Sequence, residues 1–326
     1  MKLQRLSRLP LIAALSASLL AATPFATLAA DYPTKPIRLL IGFAPGGLTD
    51  INGRVFAAAL QKKFGQPVVV ENRAGASGAI AREQVSKAAP DGYTLLTEPT
   101  TLLGYAAFTK NPTMDVQKEL TSITVLTEGT FVLVAAGNTP FKSFQEMVAY
   151  GKANPGKMNY GSNGPGVVTL SLEAIKSQYG ISMVGIDYKS SADSYRALLS
   201  NDVQLTLTSV GRAVTDTASG RIKSLAVTGG KRDSAMPTVP TASELGFERL
   251  FASWQALFGP AGLPPTVVRT IYEAALDAGK TKEVADALAK MEQDVVTSTP
   301  EATAQRIDRE IKAWREIVKV AGIKLE

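Results

Sequence analysis

Two glycine-rich segments of this sequence have the residue types and the position that binding of an anion requires. The first consists of Pro45, Gly46 and Gly47, which directly follow the apolar run 37–43 and precede a helical pattern. A strand that ends in a glycine turn and continues as a helix places unpaired backbone N–H groups at the positive end of the helix dipole. A carboxylate or another small anion can bind there, because glycine also lets it approach the backbone closely.

The second segment repeats this arrangement later in the chain. A strand predicted near 158–160 leads into a glycine loop, and a helix follows over 168–178. The candidate anion-binding residues here are Ser162, Asn163, Gly164, Gly166 and Thr169. Because ligands of open α/β sheets bind at the carboxyl ends of strands, the two segments are predicted to face one cleft between two lobes.

Further candidates lie at the ends of other predicted strands, and each also has a purely structural explanation. Asp50 either contacts the ligand or caps the first helix, for which Thr49 is the alternative cap. Thr100 and Thr101 either donate to a ligand or cap a helix, and Trp254 either lines the cleft or packs in the core. The remaining candidates are residues in turns or at strand ends: Gly75, Ala76, Gly78, Tyr188, Lys189 and Ser209.

Short apolar runs alternate with helical patterns along the chain, which predicts an α/β fold with mixed, mostly parallel sheets. Strands are predicted over 37–43, 68–70, 93–97, 158–160, 182–186, 203–208 and 223–227, and the apolar stretch 120–136 is long enough for two more. One helix is predicted after the turn at 45–47 and another after the turn at 72–78. Further helices are predicted over 143–153, 168–178, 192–199, 264–278, 280–291 and 300–320. The buried stripe of the last helix is predicted to be Ile307, Ile311, Trp314, Ile317 and Val318. Thr241 and Glu244 form a predicted capping box before a short helix.

Residues 1–30 are predicted to be a Sec-type signal peptide and not part of the fold. Lys2, Arg5 and Arg8 precede the apolar run 9–20, and small residues follow up to Ala30. The run is too short for a membrane span, so the mature chain is predicted to be soluble and exported. Removal of the segment lowers the formal net charge from +6 to +3, which suits small anions and gives little support to a nucleic-acid partner.

The chain contains no Cys and no His, and this composition excludes several kinds of site. Zinc sites built on these residues, Cys nucleophiles and Ser-His-Asp triads are impossible. For a secreted hydrolase, the nearest match to a nucleophile elbow is 75–79, which lacks the final glycine of G-x-S-x-G. A phosphate-binding loop is also missing, since Arg232 follows Gly230 and Lys231 where Ser or Thr is needed. A ferric-ion receptor with tyrosine ligands stays open, because spacing alone does not show which tyrosines are neighbours.

Sequence blocks along nearly the whole mature chain resemble the Bug-type extracytoplasmic solute receptors, the substrate-binding proteins of tripartite tricarboxylate transporters. The blocks occur in family order over about residues 32 to 324: YPTKPIRLLIGFAPGGLTD, GQPVVVENRAGASGAIA, APDGYTLL, LAVTGGKR, MPTVPTASELGF and SWQALFGPAGLPP. The resemblance implies a type II periplasmic binding protein fold, in which two α/β domains close around a ligand cleft. It also implies that backbone N–H groups and water from one loop in each domain hold a carboxylate, through residues 45–50 and 162–169 here. The blocks speak against a ferric-ion receptor.

The same resemblance implies the domain organisation and the partners. Residues 31–127 and 252–326 are expected to form domain 1, and residues 128–251 domain 2. The expected ligand is a small organic carboxylate: a dicarboxylate, a tricarboxylate, an acidic amino acid or an aromatic acid. A monomeric, non-enzymatic receptor in the periplasm is expected, with a membrane permease as partner and with no cofactor or metal. A role in sensing is the alternative to transport.

The sequence departs from the family pattern at three places, which bear on the choice of ligand more than on the fold. Thr169 stands where the family commonly has His after the second loop. Ser190 follows Tyr188 and Lys189 where glycine is usual. Gly53 replaces an alanine in the first helix, at a cost of about 1 kcal/mol.

Overall fold

The computed structural model describes residues 32–110, 112–164, 166–228, 230–247 and 249–323. Their strands are β1 (Ile37–Ile41), β2 (Val68–Asn72), β3 (Thr94–Pro99), β4 (Leu120–Gly129), β5 (Phe131–Ala136), β6 (Met158–Ser162), β7 (Met183–Asp187), β8 (Leu205–Ser209), β9 (Ile222–Val227), β10 (Ser253–Pro260) and β11 (Asp294–Val295). Their helices are α1 (Leu48–Phe64), α2 (Ala79–Ser86), α3 (Thr101–Phe108), α4 (Val116–Glu119), α5 (Phe144–Ala153), α6 (Val167–Tyr179), α7 (Ser191–Leu199), α8 (Val210–Ala218), α9 (Pro265–Gly279), α10 (Lys282–Ala289) and α11 (Pro300–Ala321). Short 3₁₀ helices occur at Ala76–Gly78 and Ser243–Leu245.

The strands form two mixed sheets, in the orders β11-β4-β10-β3-β1-β2 and β7-β6-β8-β5-β9. β1 pairs in parallel with β2 and β3, and β6 with β7 and β8. The pairings made by β10, β11 and β5 are antiparallel. The prediction of mixed sheets is confirmed, but the predicted parallel majority is not found. β5 follows β4 after the single residue Thr130 but lies in the other sheet, where both of its neighbours, β8 and β9, run antiparallel to it.

The chain thus has two lobes, which we call lobe A, around the six-stranded sheet, and lobe B, around the five-stranded sheet. The described residues from Pro33 onward form one compact unit. The predicted domain boundaries at 127/128 and 251/252 therefore stay predictions. The predicted signal peptide lies outside the described residues.

The C-terminal helix α11 connects the cores of the two lobes. It packs against α3 of lobe A and α6 of lobe B. All five residues of its predicted stripe are buried, and Trp314 contacts the rings of Phe108 and Phe251 edge-on at centroid distances of 6.2 and 5.6 Å. The predicted capping box also forms, since Glu244 N–H donates to Thr241 Oγ1 at 3.1 Å and Thr241 N–H donates to Glu244 Oε2 at 2.8 Å.

Two helix starts differ from the sequence prediction. The N-cap of α1 is Gly47, without a side-chain cap, and not Thr49 or Asp50. Asp50 lies in the first turn, where it accepts a hydrogen bond from Gly46 N–H at 2.9 Å.

The helix α8 was not predicted from the sequence. Ser209 leads from β8 into this helix without a turn, and the helix contains glycine and several β-branched residues.

Replacement of the N-cap Ser143 should destabilise α5 measurably. Ser143 Oγ accepts a hydrogen bond from Glu146 N–H at 3.2 Å, which satisfies one amide of the first turn. We expect Ser143→Ala to lower the free energy of unfolding by about 1 kcal/mol, measured by urea denaturation. Ser143→Asn, which retains an acceptor, should recover most of this loss; equal losses for both variants would mean that the cap contributes nothing.

Candidate functional site

A cavity of about 990 Å³ lies between the two lobes. Lobe A lines it with the loop before α2, the first turns of α3 and the indole of Trp314 in α11. Lobe B lines it with the loop before α6 and with the junction of β8 and α8. The cavity therefore lies where strands and helices of both lobes meet, as expected for a ligand site in this kind of fold.

Helix N-termini supply the backbone donors of this cavity. In α6 the first helical hydrogen bond is Leu170 N–H to Gly166 O, so the amides of the preceding turn, including the cavity-lining Val167 and Val168, have no intrahelical acceptor. The cavity-lining Thr100 and Thr101 lie at the start of α3. These ends carry partial positive charge and favour an anion.

The N-terminus of α8 also reaches the cavity, but part of it already has an acceptor. Gly211 N–H donates to Glu292 Oε2 of lobe A at 3.4 Å. This contact joins the lobes beside the cavity. The N-termini of α3 and α6 are therefore the better candidates for a ligand.

Arg212 is the only charged residue among the described residues that line the cavity. It is exposed, and its guanidinium carbon lies 4.8 Å from the centroid of the Tyr195 ring. No carboxylate in the described ranges lies within ion-pair distance of it. Arg212 thus faces the cavity without a direct ion pair, although the charge of Asp216, one turn further along α8, interacts with it.

Aromatic side chains form the apolar part of the lining. Tyr105 and Phe108 come from α3, Phe131 from the start of β5, and Trp314 from α11. Several Ser and Thr residues also line the cavity. The cavity therefore combines a surface for an apolar body with donors for a negatively charged group.

The cavity brings together part of the predicted site. The predicted residues in its lining are Ala76, Thr100, Thr101, Asn163, Gly164, Gly166 and Ser209. The predicted residues outside its lining are Pro45, Gly46, Gly47, Asp50, Gly75, Gly78, Ser162, Thr169, Tyr188, Lys189 and Trp254. Which of these residues contact a ligand stays a prediction.

The first glycine segment already binds a carboxylate of the chain itself. Asp50 is 3% exposed and accepts hydrogen bonds from Gly46 N–H at 2.9 Å, Asn72 Nδ2 at 2.8 Å and Arg54 Nε at 2.9 Å. Burial alone would raise the pKa of Asp50, but the hydrogen bonds from Arg54, Gly46 and Asn72 hold it below its usual range. Sequence reasoning missed this internal occupant, because Asn72 comes from the neighbouring strand.

The second segment is held partly by internal hydrogen bonds. Ser162 Oγ and Gly164 N–H both donate to Asp187 Oδ1, the latter at 3.2 Å. Thr169 Oγ1 donates to Gly164 O at 2.7 Å. These bonds fix the loop, while Asn163 and Gly166 line the cavity.

Three other predicted residues have structural partners or lie at the surface. The indole N–H of Trp254 donates to Glu310 Oε2 at 2.8 Å, and the side chain is buried. Tyr188 packs against the core of lobe B, and Lys189 is exposed.

Sequence reasoning missed Ser77, the aromatic lining residues and Arg212. Ser77 lies beside the predicted Ala76, so the signal was present. Arg212 follows a predicted strand end by a few residues, but it was not considered because α8 was not predicted. The aromatic rings come from three distant segments, which no local pattern relates.

The described residues contain no group of three or more Cys, His, Asp or Glu side chains that could hold a metal ion. None of the described helices is long and apolar enough to span a membrane. Two lobes around a cavity with helix N-termini, one unpaired cation and aromatic rings define a solute-binding protein.

The chain belongs to the tripartite tricarboxylate transporter receptor family, TctC, whose family model matches residues 53–323. It is 32% identical to protein BugT of Bordetella pertussis over 299 aligned residues. The alignment covers 90% of this chain and 92% of BugT. The family is one of substrate-binding proteins and not of enzymes. The resemblance to Bug-type receptors and the prediction of a non-enzymatic receptor are thus confirmed.

Two solved structures of Rhodopseudomonas palustris proteins are similar in fold and sequence. MatC with bound malate has a TM-score of 0.65 and 28% identity, over 88% of this chain and 100% of that one. A second protein, with adipate, has a TM-score of 0.67 and 28% identity, over 90% of this chain and 99% of that one. Together with the two mixed sheets, these similarities confirm the type II periplasmic binding protein fold.

Proposed function

We propose that the protein is a periplasmic receptor that captures a small organic carboxylate in the cavity between its lobes. The observation that carries this proposal is the approach of the α3 and α6 N-termini and the unpaired Arg212 to one cavity whose described lining contains no carboxylate. Both R. palustris structures hold dicarboxylates, malate and adipate, which supports the same ligand class here.

The lining favours a mono- or dicarboxylate with an apolar body. One carboxylate binds Arg212 and the amides of a helix N-terminus, which line the same cavity. The body of the ligand packs against Tyr105, Phe108, Phe131 and Trp314. A tricarboxylate is less well matched, because the described lining offers a single cation.

The remaining features of the proposal are those that the resemblance to Bug-type receptors implies. After removal of residues 1–30, the monomeric receptor hands the acid to a membrane permease of the tripartite type. Domain 1 comprises residues 31–127 and 252–326, and domain 2 residues 128–251. Contacts made only in the closed arrangement of these domains would drive closure.

A thermal-shift screen tests this function. Malate, adipate, glutamate, citrate and benzoate are the acids, and adipamide is a neutral control of the same length as adipate. An acid at 100 times its dissociation constant should add about 2.7 kcal/mol to the free energy of unfolding. Recovery of the acid chemically unchanged supports a receptor. The proposal would be contradicted if adipamide stabilised the protein as much as adipate does. It would also be contradicted if none of the acids stabilised the protein.

Gly47→Leu should change the dissociation constant of the best acid by less than about threefold. Gly46 N–H is already bonded to Asp50, and the first segment lies outside the cavity lining. A Cβ atom at Gly47 would lie 3.5 Å from Ala44 O, an ordinary contact, so the variant should fold. Titration calorimetry measures the change, and a loss of tenfold or more would assign the first segment to the ligand site.

A further inference from the structure

A buried ion pair lies directly beneath the wall that lobe A contributes to the cavity. Arg82 of α2 and Glu98 of β3 are both fully buried, and Arg82 Nη1 donates to Glu98 Oε1. A buried pair of this kind is often less favourable than apolar side chains of the same volume. Its contacts therefore need an explanation other than stability.

Each contact of the pair leads to a residue that lines the cavity. Arg82 Nη1 donates to Ser77 O at 2.9 Å, and Thr101 Oγ1 donates to Glu98 Oε1 at 3.3 Å. The guanidinium carbon of Arg82 lies 4.6 Å from the centroid of the Tyr105 ring. The pair thus holds the loop before α2 and the first turns of α3 together.

The loop that the pair holds has an unfavourable backbone conformation. Ala76 and Ser77 have φ angles of 45° and 49°, a region that residues other than glycine rarely adopt. Gly78 follows with φ of 89°, and a Cβ atom there would lie 2.7 Å from Glu98 Oε1. Strained loops of this kind persist where surrounding contacts fix them, and they occur often at ligand sites.

The pair is also incompletely bonded. Arg82 Nε, Arg82 Nη2 and Glu98 Oε2 are buried and have no hydrogen-bond partner among the described residues. A buried carboxylate with one free oxygen is costly to keep ionised.

We propose that Arg82 and Glu98 are positioning residues of the ligand site, and that Glu98 takes up a proton when an anion occupies the cavity.

The electrostatics of the cluster give the direction of this coupling. Burial raises the pKa of Glu98 to about 7, although the charge and hydrogen bond of Arg82 and the hydroxyl of Thr101 lower it in part. The groups that face Glu98 are Arg82 from α2 and Thr101 from α3. Its partner in the neighbouring strand β10 is the uncharged Ala256. An anion in the cavity adds a second negative charge near Glu98, which favours the protonated carboxyl. The anion should therefore bind more tightly as the pH falls through 7.

This inference rests on the proposed carboxylate site, and the composition of the chain makes it testable. Because there is no His or Cys, no side chain with an ordinary pKa titrates between pH 6 and 8. Malate, adipate and benzoate serve as probes. The dissociation constant should be about threefold to tenfold higher at pH 8, where Glu98 is mostly ionised, than at pH 6.

Glu98→Gln separates the coupling from a purely structural role. The amide keeps the size of the Glu98 side chain but carries no charge at any pH. The pair then has the single positive charge of Arg82. This variant should bind the acid as tightly as the wild type at pH 6, more tightly than the wild type at pH 8, and with no pH dependence. Calorimetry in two buffers of different ionisation enthalpy should show proton uptake near pH 7 for the wild type and none for Glu98→Gln. Glu83→Gln, an exposed charge change on α2, is the matched control and should behave as the wild type.

The possible results are distinguishable. An acid that binds with the same dissociation constant at pH 6 and pH 8, or a pH dependence that survives in Glu98→Gln, would overturn this inference and leave the proposed function intact. If none of the five acids of the screen binds at pH 6, the proposed function and this inference both fail.

Discussion

Arg82→Met should lower the free energy of unfolding by about 3–5 kcal/mol at pH 8, because it leaves the fully buried Glu98 without its cation. It also removes the donor to Ser77 O, so the strained loop at Ala76 and Ser77 loses an anchor. For a chain of this size, the melting temperature should fall by roughly 6–15 °C. Urea denaturation at pH 8 measures the loss.

The double variant Arg82→Met/Glu98→Leu is the matched control for this loss. Apolar side chains in place of both charges remove the uncompensated carboxylate, so most of the stability should return. A double variant as unstable as Arg82→Met would show that the loss comes from packing and not from the unpaired charge.

The pH dependence of stability should follow Glu98. Its folded pKa, about 7, lies above its ordinary value of 4.5, so the folded state binds the proton more tightly than the unfolded state. The resulting stabilisation is fully present below pH 4.5 and is lost as the pH rises through 7. The Arg82→Met variant should therefore be closest to the wild type at low pH and furthest from it at pH 8.

Arg212→Gln should weaken binding of a carboxylate by about tenfold to a hundredfold. Arg212 is the single cation in the described lining, and no described carboxylate forms an ion pair with it, although the charge of Asp216 on the same helix interacts with it. Because the side chain is exposed, the free energy of unfolding should change by less than about 0.5 kcal/mol. Titration calorimetry with the best acid of the screen measures the affinity.

Two further variants sharpen this prediction. Arg196→Gln removes an exposed charge from α7 of the same lobe, outside the cavity lining, and should leave the affinity unchanged. Arg212→Lys keeps the charge but loses the planar pair of donors, so its affinity should be intermediate. Equal losses for Arg196→Gln and Arg212→Gln would mean that only the net charge of lobe B matters.

The elements that sequence reasoning predicted are those whose signals are local. The stripe of α11 repeats with the helical period, and the Thr241–Glu244 capping box is defined by residues three positions apart. Strand direction was predicted less well, because it depends on how the chain crosses between the lobes after Gly129. The helix α3 was missed because its own residues are mostly apolar on all sides and give no amphipathic period.

The candidate site was predicted only where it coincides with turns after strands. Asn163, Gly164 and Gly166 follow β6, and they line the cavity. The occupation of Gly46 N–H by Asp50 depends on Asn72 and Arg54, and the pairing of Arg82 with Glu98 joins a helix to a strand. Such contacts between distant segments carry no sequence pattern, so they become visible only in the fold.

A crystal structure with the acid that stabilises the protein most decides whether this cavity binds a carboxylate. We expect a carboxylate oxygen within about 3.2 Å of the Arg212 guanidinium and of a first-turn amide of α3 or α6. The body of the acid should contact the aromatic rings of the cavity. An acid bound outside this cavity, or bound within it with its carboxylate directed away from Arg212 and from both helix N-termini, would contradict the account.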